Sequence, residues 1–347
     1  MAPPFVSVVV PVRNEARTIE ACLYSIAAQT YPRDRIEVLV VDGMSDDGTP
    51  QIVSRFAAES TVDVRLLRNP RRLPAAAMNL ALDAARGDII VRLDGHAAAA
   101  PDFLARSVAL LEDSGADCAG GIIESVGDTP AGEAIALAMA SRFGVGGARF
   151  RTGGEAGPAD TVAFGAYRRD VFARIGRFAE DIEGGEDDEF NYRLLDAGGR
   201  IVLDPAIRSR YLVRGDLRSL WRQYFRYGRA KPEVLRRHPA QARLRQLAPP
   251  AFVLALGAGA VIAPRAGLAP LRALAAAYAV AAAGASLLAA LPGGKPRALP
   301  RLPAAFACMH VAYGLGFWAG AGDALRRAVL ARVVRRAEAP ALRDVAE

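Results

Sequence analysis

The chain has 347 residues and a formal net charge of +7; 52% of its residues are hydrophobic and 23% charged. So apolar a composition excludes a disordered chain, and the length allows about two domains with a core that needs no disulfide staple. Three cysteines, Cys22, Cys118 and Cys308, have no metal or redox spacing and read as buried thiols of a reducing compartment.

The first hundred residues alternate strand and helix. Val6–Val10 is a continuous β-branched run, read as a buried parallel strand. Thr18–Gln29 carries Ile19, Cys22, Leu23 and Ile26 at helical spacing. Glu37–Val41 is a second strand, Gly43–Gly48 a polar turn, and Thr49–Phe56 a short helix. Val64–Leu67, a proline-opened helix over Pro74–Ala85, and the strand Ile89–Leu93 follow. This β-α-β order predicts an α/β fold with a doubly wound, mostly parallel sheet. No glycine-rich dinucleotide fingerprint follows the first strand, where Pro11-Val12-Arg13-Asn14-Glu15 stands instead, which argues against a dinucleotide oxidoreductase. The start of the chain has no basic n-region, and Phe5–Val12 is too short for a signal peptide. Residues 1–215 are therefore expected to form a cytosolic domain.

Arg151–Asp160 is glycine-rich and polar and reads as a loop. Phe178–Asp188 packs Glu180, Asp181, Glu183, Glu186, Asp187 and Asp188 around Gly184-Gly185, and a helix begins near it with Glu189 and Arg193 as an i,i+4 pair. Residues 211–245 hold ten cations against two anions, a local +8 that exceeds the excess of the whole chain. Within them Arg218, Arg222, Arg226 and Arg229 form one helical stripe, and Leu217, Leu220, Trp221 and Tyr224 another. Residues 216–245 thus predict a basic amphipathic helix, either in a membrane interface or docked on the sheet with its arginines in water. Three apolar runs beyond this basic block favour membrane over nucleic acid as its partner. Gln246–Pro264, Ala273–Gly294 and Leu302–Gly322 contain no Asp, Glu, Lys or Arg, and each is near the ~20 residues needed to cross a bilayer. Residues 246–322 are therefore a membrane segment and 323–347 a basic tail. Pro249, Pro250 and Pro264 leave only Ala251–Ala263 uninterrupted in the first run, which predicts two full spans with the first run partial.

Two aspartates, Asp42 and Asp94, stand at strand ends, where ligands bind in such sheets. Asp94-Gly95-His96 places a carboxylate and an imidazole one residue apart, able to reach one cation; imidazole suits Mn²⁺ better than Mg²⁺. Taken alone, the aspartate fits a helix cap equally well. Together with the acidic stretch, the two carboxylates describe a site for a metal-bridged diphosphate.

These pieces resemble family 2 inverting glycosyltransferases of the GT-A nucleotide-sugar fold. The resemblance rests on Val8–Glu15, Val40–Thr49, Asp94-Gly95-His96, Glu186-Asp187-Asp188-Glu189-Phe190 with Arg193, and Gln223–Tyr227, over roughly residues 5–230. The Asp-x-His form, the stretch Asp160–Arg169 and the apolar C-terminal runs are similar, more narrowly, to the succinoglycan-type exopolysaccharide glycosyltransferases. The resemblance implies that Asp42 binds the uracil–ribose part of a UDP-sugar, with Pro11, Val12, Arg13, Asn14 and Glu15 lining that pocket. Asp94 and His96 would hold a divalent metal, Mn²⁺ or Mg²⁺, on the diphosphate. Asp187 would be the general base of an inverting transfer, its crowded neighbours raising its pKa and a helix N-terminus lowering it, with the net sign open. Gln223 and Arg226 would contact the leaving group or the acceptor, and Phe164, Glu186 and Tyr227 the acceptor or its loop. Tyr227, in place of the tryptophan typical of processive synthases, points to transfer of a single sugar. The implied partners are a UDP-sugar, glucose being the expected sugar, an isoprenoid-diphosphate-linked saccharide and membrane lipid, with no nucleic acid. The implied place is a bacterial-type inner membrane with the catalytic domain in the cytoplasm. Loading of isoprenoid monophosphate, or a non-catalytic nucleotide-sugar sensor, are the competing readings.

Overall fold

The unbroken apolar run after Pro4 forms strand β1 (Val6–Val12), every residue of which but Pro11 is buried. The structure, a computed structural model, describes residues 2–341. After β1 come α1 (Ile19–Ala27), β2 (Ile36–Asp42), α2 (Thr49–Glu59), β3 (Asp63–Arg68), α3 (Pro74–Ala84) and β4 (Ile89–Arg92). These build the expected parallel half: β1 pairs in parallel with both β2 and β4, and β2 with β3. The chain then adds β5 (Ala97–Ala99), α4 (Phe103–Ser114), β6 (Cys118–Val126), α5 (Pro130–Ala140), α6 (Arg142–Val145), α7 (Arg149–Thr152), β7 (Gly157–Pro158), β8 (Ala166–Arg168), α8 (Arg169–Ile175), α9 (Glu186–Asp196) and β9 (Ile201–Leu212). The sheet order is β3-β2-β1-β4-β8-β6-β9-β5, with β7 on β9. Here directions mix: β8 is antiparallel to both β4 and β6, and β9 is parallel to β6 but antiparallel to β5. The stretch expected to be a loop, Arg151–Asp160, instead contributes the end of α7 and the short β7.

The amino end of the sheet is pinned by one buried charge. The Glu37 carboxylate accepts from Ser7 Oγ (2.6 Å), the Arg86 N–H (2.6 Å), Arg65 (2.5 Å) and Arg86 Nε (2.9 Å). Burial alone would raise its pKa, and these bonds outweigh that and lower it. The carboxyl ends of the strands are thereby left as the open, ligand-facing edge.

Four helices close the chain: α10 (Leu217–Arg237), α11 (Leu244–Ala266), α12 (Ala269–Ala290) and α13 (Leu302–Ala341). α10 is amphipathic as expected, and its buried face packs on α13 rather than on the sheet. Leu220, Gln223, Tyr224, Gly228, Lys231 and Val234 are buried, while Arg218, Arg222, Arg226 and Arg229 are exposed. Leu217 and Trp221 stay exposed beside the arginines. The buried face lies along α13 at close range: a Cβ on Gly228 would collide with the Tyr313 carbonyl, and one on Gly316 with the Phe225 carbonyl. Arg229 adds an ion pair to Asp323 at 2.8 Å.

α11 runs unbroken through Pro249 and Pro250, so the first apolar run is a full-length helix rather than the short segment its prolines predicted. These two prolines lie in the second turn of α11 and free only the carbonyls of Arg245 and Gln246. Trp318 Nε1 of the neighbouring α13 donates to Pro250 O at 2.9 Å and ties the two helices together. Three helices are thus long and apolar enough to cross a membrane: Leu244–Arg265, Ala269–Ala290 and Leu302–Arg327. Val261, Val280 and Leu288 are 75%, 74% and 80% exposed, an apolar surface suited to lipid rather than water. No break separates residues 323–341 from the third span, because α13 continues through them; Arg343 of the expected tail lies outside the described residues.

Candidate active site

The carboxyl ends of β1, β2 and β4 open onto a cleft of about 880 Å³. Pro11, Val12, Arg13 and Glu15 follow β1 into it, and Asp94 and His96 follow β4. The facing wall carries Glu186, Asp187, Phe164, Gln223, Arg226 and Tyr227. Of the residues singled out from sequence, only Asn14 and Asp42 do not line it. Both act on the turn behind the wall. The Asp42 carboxylate accepts from the Ser45 N–H at 3.1 Å, Asn14 Oδ1 accepts from the Asp46 N–H at 3.0 Å, and the Asn14 N–H donates to Ser45 Oγ at 2.8 Å.

Among the described residues, the non-glycine residues with positive φ are Asn14, Met44, Arg72 and Phe164. Arg72 and Phe164 line the cleft, and Asn14 and Met44 each adjoin a lining residue. Such conformations cost of order 1–3 kcal/mol and cluster at functional sites. The middle residue of Asp94-Gly95-His96 is dictated by close approach, since a Cβ there would lie 2.7 Å from Val12 Cγ1.

Glu15 serves a function that sequence did not foresee. Its Oε1 accepts from His96 Nδ1 at 2.8 Å, while His96 Nε2 is buried with no partner among the described residues. Tyr211 packs edge-on against the imidazole at 4.7 Å between centroids. A carboxylate behind one ring nitrogen orients the other as a metal ligand. Burial pulls the His96 pKa down, but Tyr211, the Glu15 hydrogen bond and charge, and Asp94 raise it to about 10. Nε2 is the ring atom that would be offered to a divalent cation, in competition with a proton. Among the described residues no three His, Cys, Asp or Glu side chains form a metal cage. The two donors Asp94 and His96 suit a hard cation that takes its remaining ligands from phosphate oxygens and water.

Arg92 ties the two motifs together. Its Nε donates to Asp94 Oδ1 and its Nη1 to Glu186 Oε1, both at 3.2 Å. Burial disfavours the Asp94 charge, but Arg92 and His96 outweigh it and hold the pKa low. Asp187 behaves oppositely. Burial first, then the charges of Asp188 and Glu186, push it up to about 7, against the opposing Arg92 and the Asp188 N–H. The sign left open by sequence is thus upward: neighbouring carboxylates and burial outweigh the helix N-terminus of α9.

Asp188 stays ionised because Lys231 of α10 pairs with it and Thr161 Oγ1 donates at 3.2 Å; burial opposes this and loses. Lys231 is one of two lysines in the chain and is only 6% exposed. Replacing it by methionine should raise the apparent pKa values of the Asp187–Asp188 pair, moving the acid limb of any base-dependent activity to higher pH. A pH–rate profile of Lys231→Met against wild type checks this; superimposable acid limbs would contradict it.

Gln223 donates to Tyr211 Oη (3.1 Å) and Tyr227 Oη (2.9 Å), so its carboxamide braces the aromatic wall. Its Oε1 is buried without a partner among the described residues. Arg226 passes over Gly184, where a Cβ would lie 2.7 Å from Arg226 Cγ. Arg92, Tyr211, Arg151, Arg214 and Lys231 complete the site and were missed in sequence, because no local motif marks them. Arg151 stacks over Tyr211 at 5.3 Å.

Residues 7–176 match the profile described as glycosyl transferase family 2. The succinoglycan biosynthesis protein ExoA of Rhizobium meliloti (strain 1021) is 33% identical over 323 residues, 92% of this chain and 96% of that protein. The chain belongs to glycosyl transferase family 2. A dolichyl N-acetyl-α-D-glucosaminyl phosphate 3-β-D-2,3-diacetamido-2,3-dideoxy-β-D-glucuronosyltransferase of Methanococcus voltae is 28% identical over 240 residues, 67% of this chain and 74% of that one. Among solved structures, the mannosyltransferase PcManGT of Pyrobaculum calidifontis, in complex with GDP-Man and Mn2+, is similar with a TM-score of 0.61 and 27% identity, covering 93% of this chain and 88% of its own. The GT-A fold of this family is the fold observed, followed by three apolar helices. The chain is thus a glycosyltransferase, and the cleft is its candidate active site.

Proposed function

We propose that this protein transfers a single sugar, with inversion, from a UDP-sugar to a lipid-linked saccharide during synthesis of an exopolysaccharide or other cell-surface glycan. Asp187 carries the reading: a carboxyl whose pKa is pushed up to about 7 lies in the same cleft as Asp94 and His96. A base poised near neutral pH is suited to take the proton of an acceptor hydroxyl. Arg13 and the turn buttressed by Asn14 and Asp42 form the donor's nucleoside end. Asp94 and His96 would hold a divalent ion, which when bound neutralises charge on the diphosphate. Arg226 and Arg214, lining the same cleft, offer cationic hydrogen bonds to the leaving nucleotide. Asp187 Oδ1 accepts from the Asp188 N–H at 2.9 Å, which orients the carboxylate to take the proton of the acceptor hydroxyl as that oxygen attacks the anomeric carbon and the nucleotide leaves.

Lipid linkage of the acceptor is supported by the three apolar helices and by the dolichyl-linked substrate in the name of the Methanococcus voltae relative. The positive-inside rule supports a cytoplasmic catalytic domain in a plasma membrane, through the cations of residues 211–245. The likeness to PcManGT supports a second donor reading, GDP-mannose. A screen of UDP- and GDP-sugars for Mn²⁺-dependent nucleotide release, with bacterial membranes as acceptor source, tests both. UDP release that requires membrane extract is the expected result. Release of GDP alone would replace the donor assignment, and no acceptor-dependent release from any donor would overturn the reading.

A further inference from the structure

The catalytic cleft does not end at Asp187. It continues to Phe252 of α11, Tyr278 of α12, and Met309 and Tyr313 of α13. One wall of this far arm is α6, which is seated on the membrane helices. The Phe143 ring packs edge-on against Phe306 at 5.0 Å, and the Phe143 carbonyl accepts from His310 Nε2 at 2.9 Å. Tyr278 Oη meets His310 Nδ1 at 2.9 Å, so α12, α13 and α6 are held by one polar link.

Two arginines stand on this arm. Arg142, the residue before Phe143, is exposed, lines the cleft, and has no carboxylate partner among the described residues. Arg245, at the head of α11, lines it too and pairs with Asp160. It backs directly onto the end of α6, since a Cβ on Gly146 would collide with Arg245 Cβ. By contrast, Arg151 and Arg214 act at the other end, where both lower the pKa of Tyr211 beside His96.

We propose that α6, the first turns of α11 and α13 and the middle of α12 form the acceptor's own subsite, in which Arg142 and Arg245 hold the phosphate of a phosphorylated isoprenoid lipid. Its chain lies against Phe252, Tyr278 and Met309 and leaves towards the exposed faces of α11 and α12. The occupant follows from three observations: the arm is continuous with the catalytic cleft, cations stand at its polar end, and its apolar walls belong to helices whose outer faces are suited to lipid. A bare phosphate would leave the aromatic wall uncovered, and a plain hydrocarbon would leave Arg142 unpaired. This subsite rests on the lipid-linked acceptor reading above and adds its location and its ligating residues.

The test uses the full chain in detergent micelles and a benzophenone-tagged long-chain polyisoprenyl diphosphate as probe. Labelled peptides should map to residues 245–252, 278 or 309–313. Unlabelled polyisoprenyl diphosphate should compete better than inorganic pyrophosphate, and Arg142→Gln should weaken labelling about tenfold or more, as for a lost charge-assisted bond. Phe252→Ala is the second variant and should reduce labelling in the same way. Labelling confined to other surfaces, such as the exposed Trp221 side of α10, would overturn the subsite, as would labelling unaffected by either variant. Competition by pyrophosphate as strong as by the lipid would also overturn it, by assigning the arm to free phosphate. Failure of the underlying reading is separable. An enzyme that transfers sugar to lipid extract, with release of UDP, but labels elsewhere loses only this subsite, whereas one that transfers sugar only to water-soluble saccharides loses the lipid-linked acceptor as well.

Discussion

Asp187→Asn should lower kcat by roughly two to four orders of magnitude, the usual contribution of a positioned base, while the Kd for UDP changes little. The amide keeps the shape of the carboxyl and can still accept from the Asp188 N–H, so the geometry of α9 is preserved. What it loses is the ability to take a proton from the acceptor. The wild-type rate should rise with pH through an acid limb near 7, because the base works only when ionised and its pKa is pushed up to about 7. Stability should show the opposite trend. Between the ordinary value of 3.8 and about 7, the folded carboxyl retains a proton that the unfolded one has lost. Folding is therefore penalised as pH rises through that window, and the penalty is complete above 7. Asp187→Asn removes it, so the variant should melt at a higher temperature than wild type at pH 8, with the difference shrinking towards pH 4. Kinetics and thermal melts on the same preparation check both halves. Turnover within threefold of wild type, or an acid limb unmoved from the ordinary carboxylate range, would reject Asp187 as the base.

Asp94→Asn should abolish most of the metal-dependent donor affinity. Loss of a second-shell partner alone typically costs roughly 10–100-fold in metal affinity, and Asp94 is proposed as a direct ligand. The substitution also removes the charge opposite Arg92, whose guanidinium is 3.2 Å away. The pair is only partly buried and Arg92 keeps its bond to Glu186, so a modest fall in thermal stability accompanies the loss. Asparagine rather than alanine keeps an acceptor for Arg92 and limits that fall. Calorimetric titration of UDP with and without Mn²⁺ separates the two effects: the variant should bind UDP equally with or without the ion, where wild type gains from it. A variant that folds and retains the full Mn²⁺ enhancement would remove Asp94 from the metal site.

The legible part of this site was its local part. Asp94 and His96 are two residues apart, and strand direction alone delivers both to the open edge of the sheet. Glu186-Asp187-Asp188 are consecutive and share the first turn of one helix. Such sets are visible because the backbone holds them together whatever the rest of the chain does. Glu15 was seen as a lining residue but not as the partner of His96, because 81 residues separate the pair. Arg92 sits in a strand that reads as an ordinary buried run, and only packing against α9, 94 residues later, gives it Glu186. Lys231 is inconspicuous in a basic helix until that helix is laid over Asp188, 43 residues earlier.

The membrane helices teach the same lesson with the opposite sign. Proline chemistry read locally argued that the first apolar run was broken, yet α11 runs through Pro249 and Pro250 and is tied to α13, where Trp318 donates to the Pro250 carbonyl. For this protein, then, sequence by itself determined the parallel half of the sheet, the strand-end acids, the acidic helix start, the family and the presence of a membrane-suited C-terminus. Each of these comes from periodicity or from neighbours a few residues apart. The tertiary structure decided which way the Asp187 proton equilibrium leans, how His96 is oriented, and that the candidate cleft continues onto the apolar C-terminal helices. Those outcomes depend on burial and on charges brought together from distant segments, where a low dielectric makes a neighbour a few ångströms away outweigh any intrinsic preference.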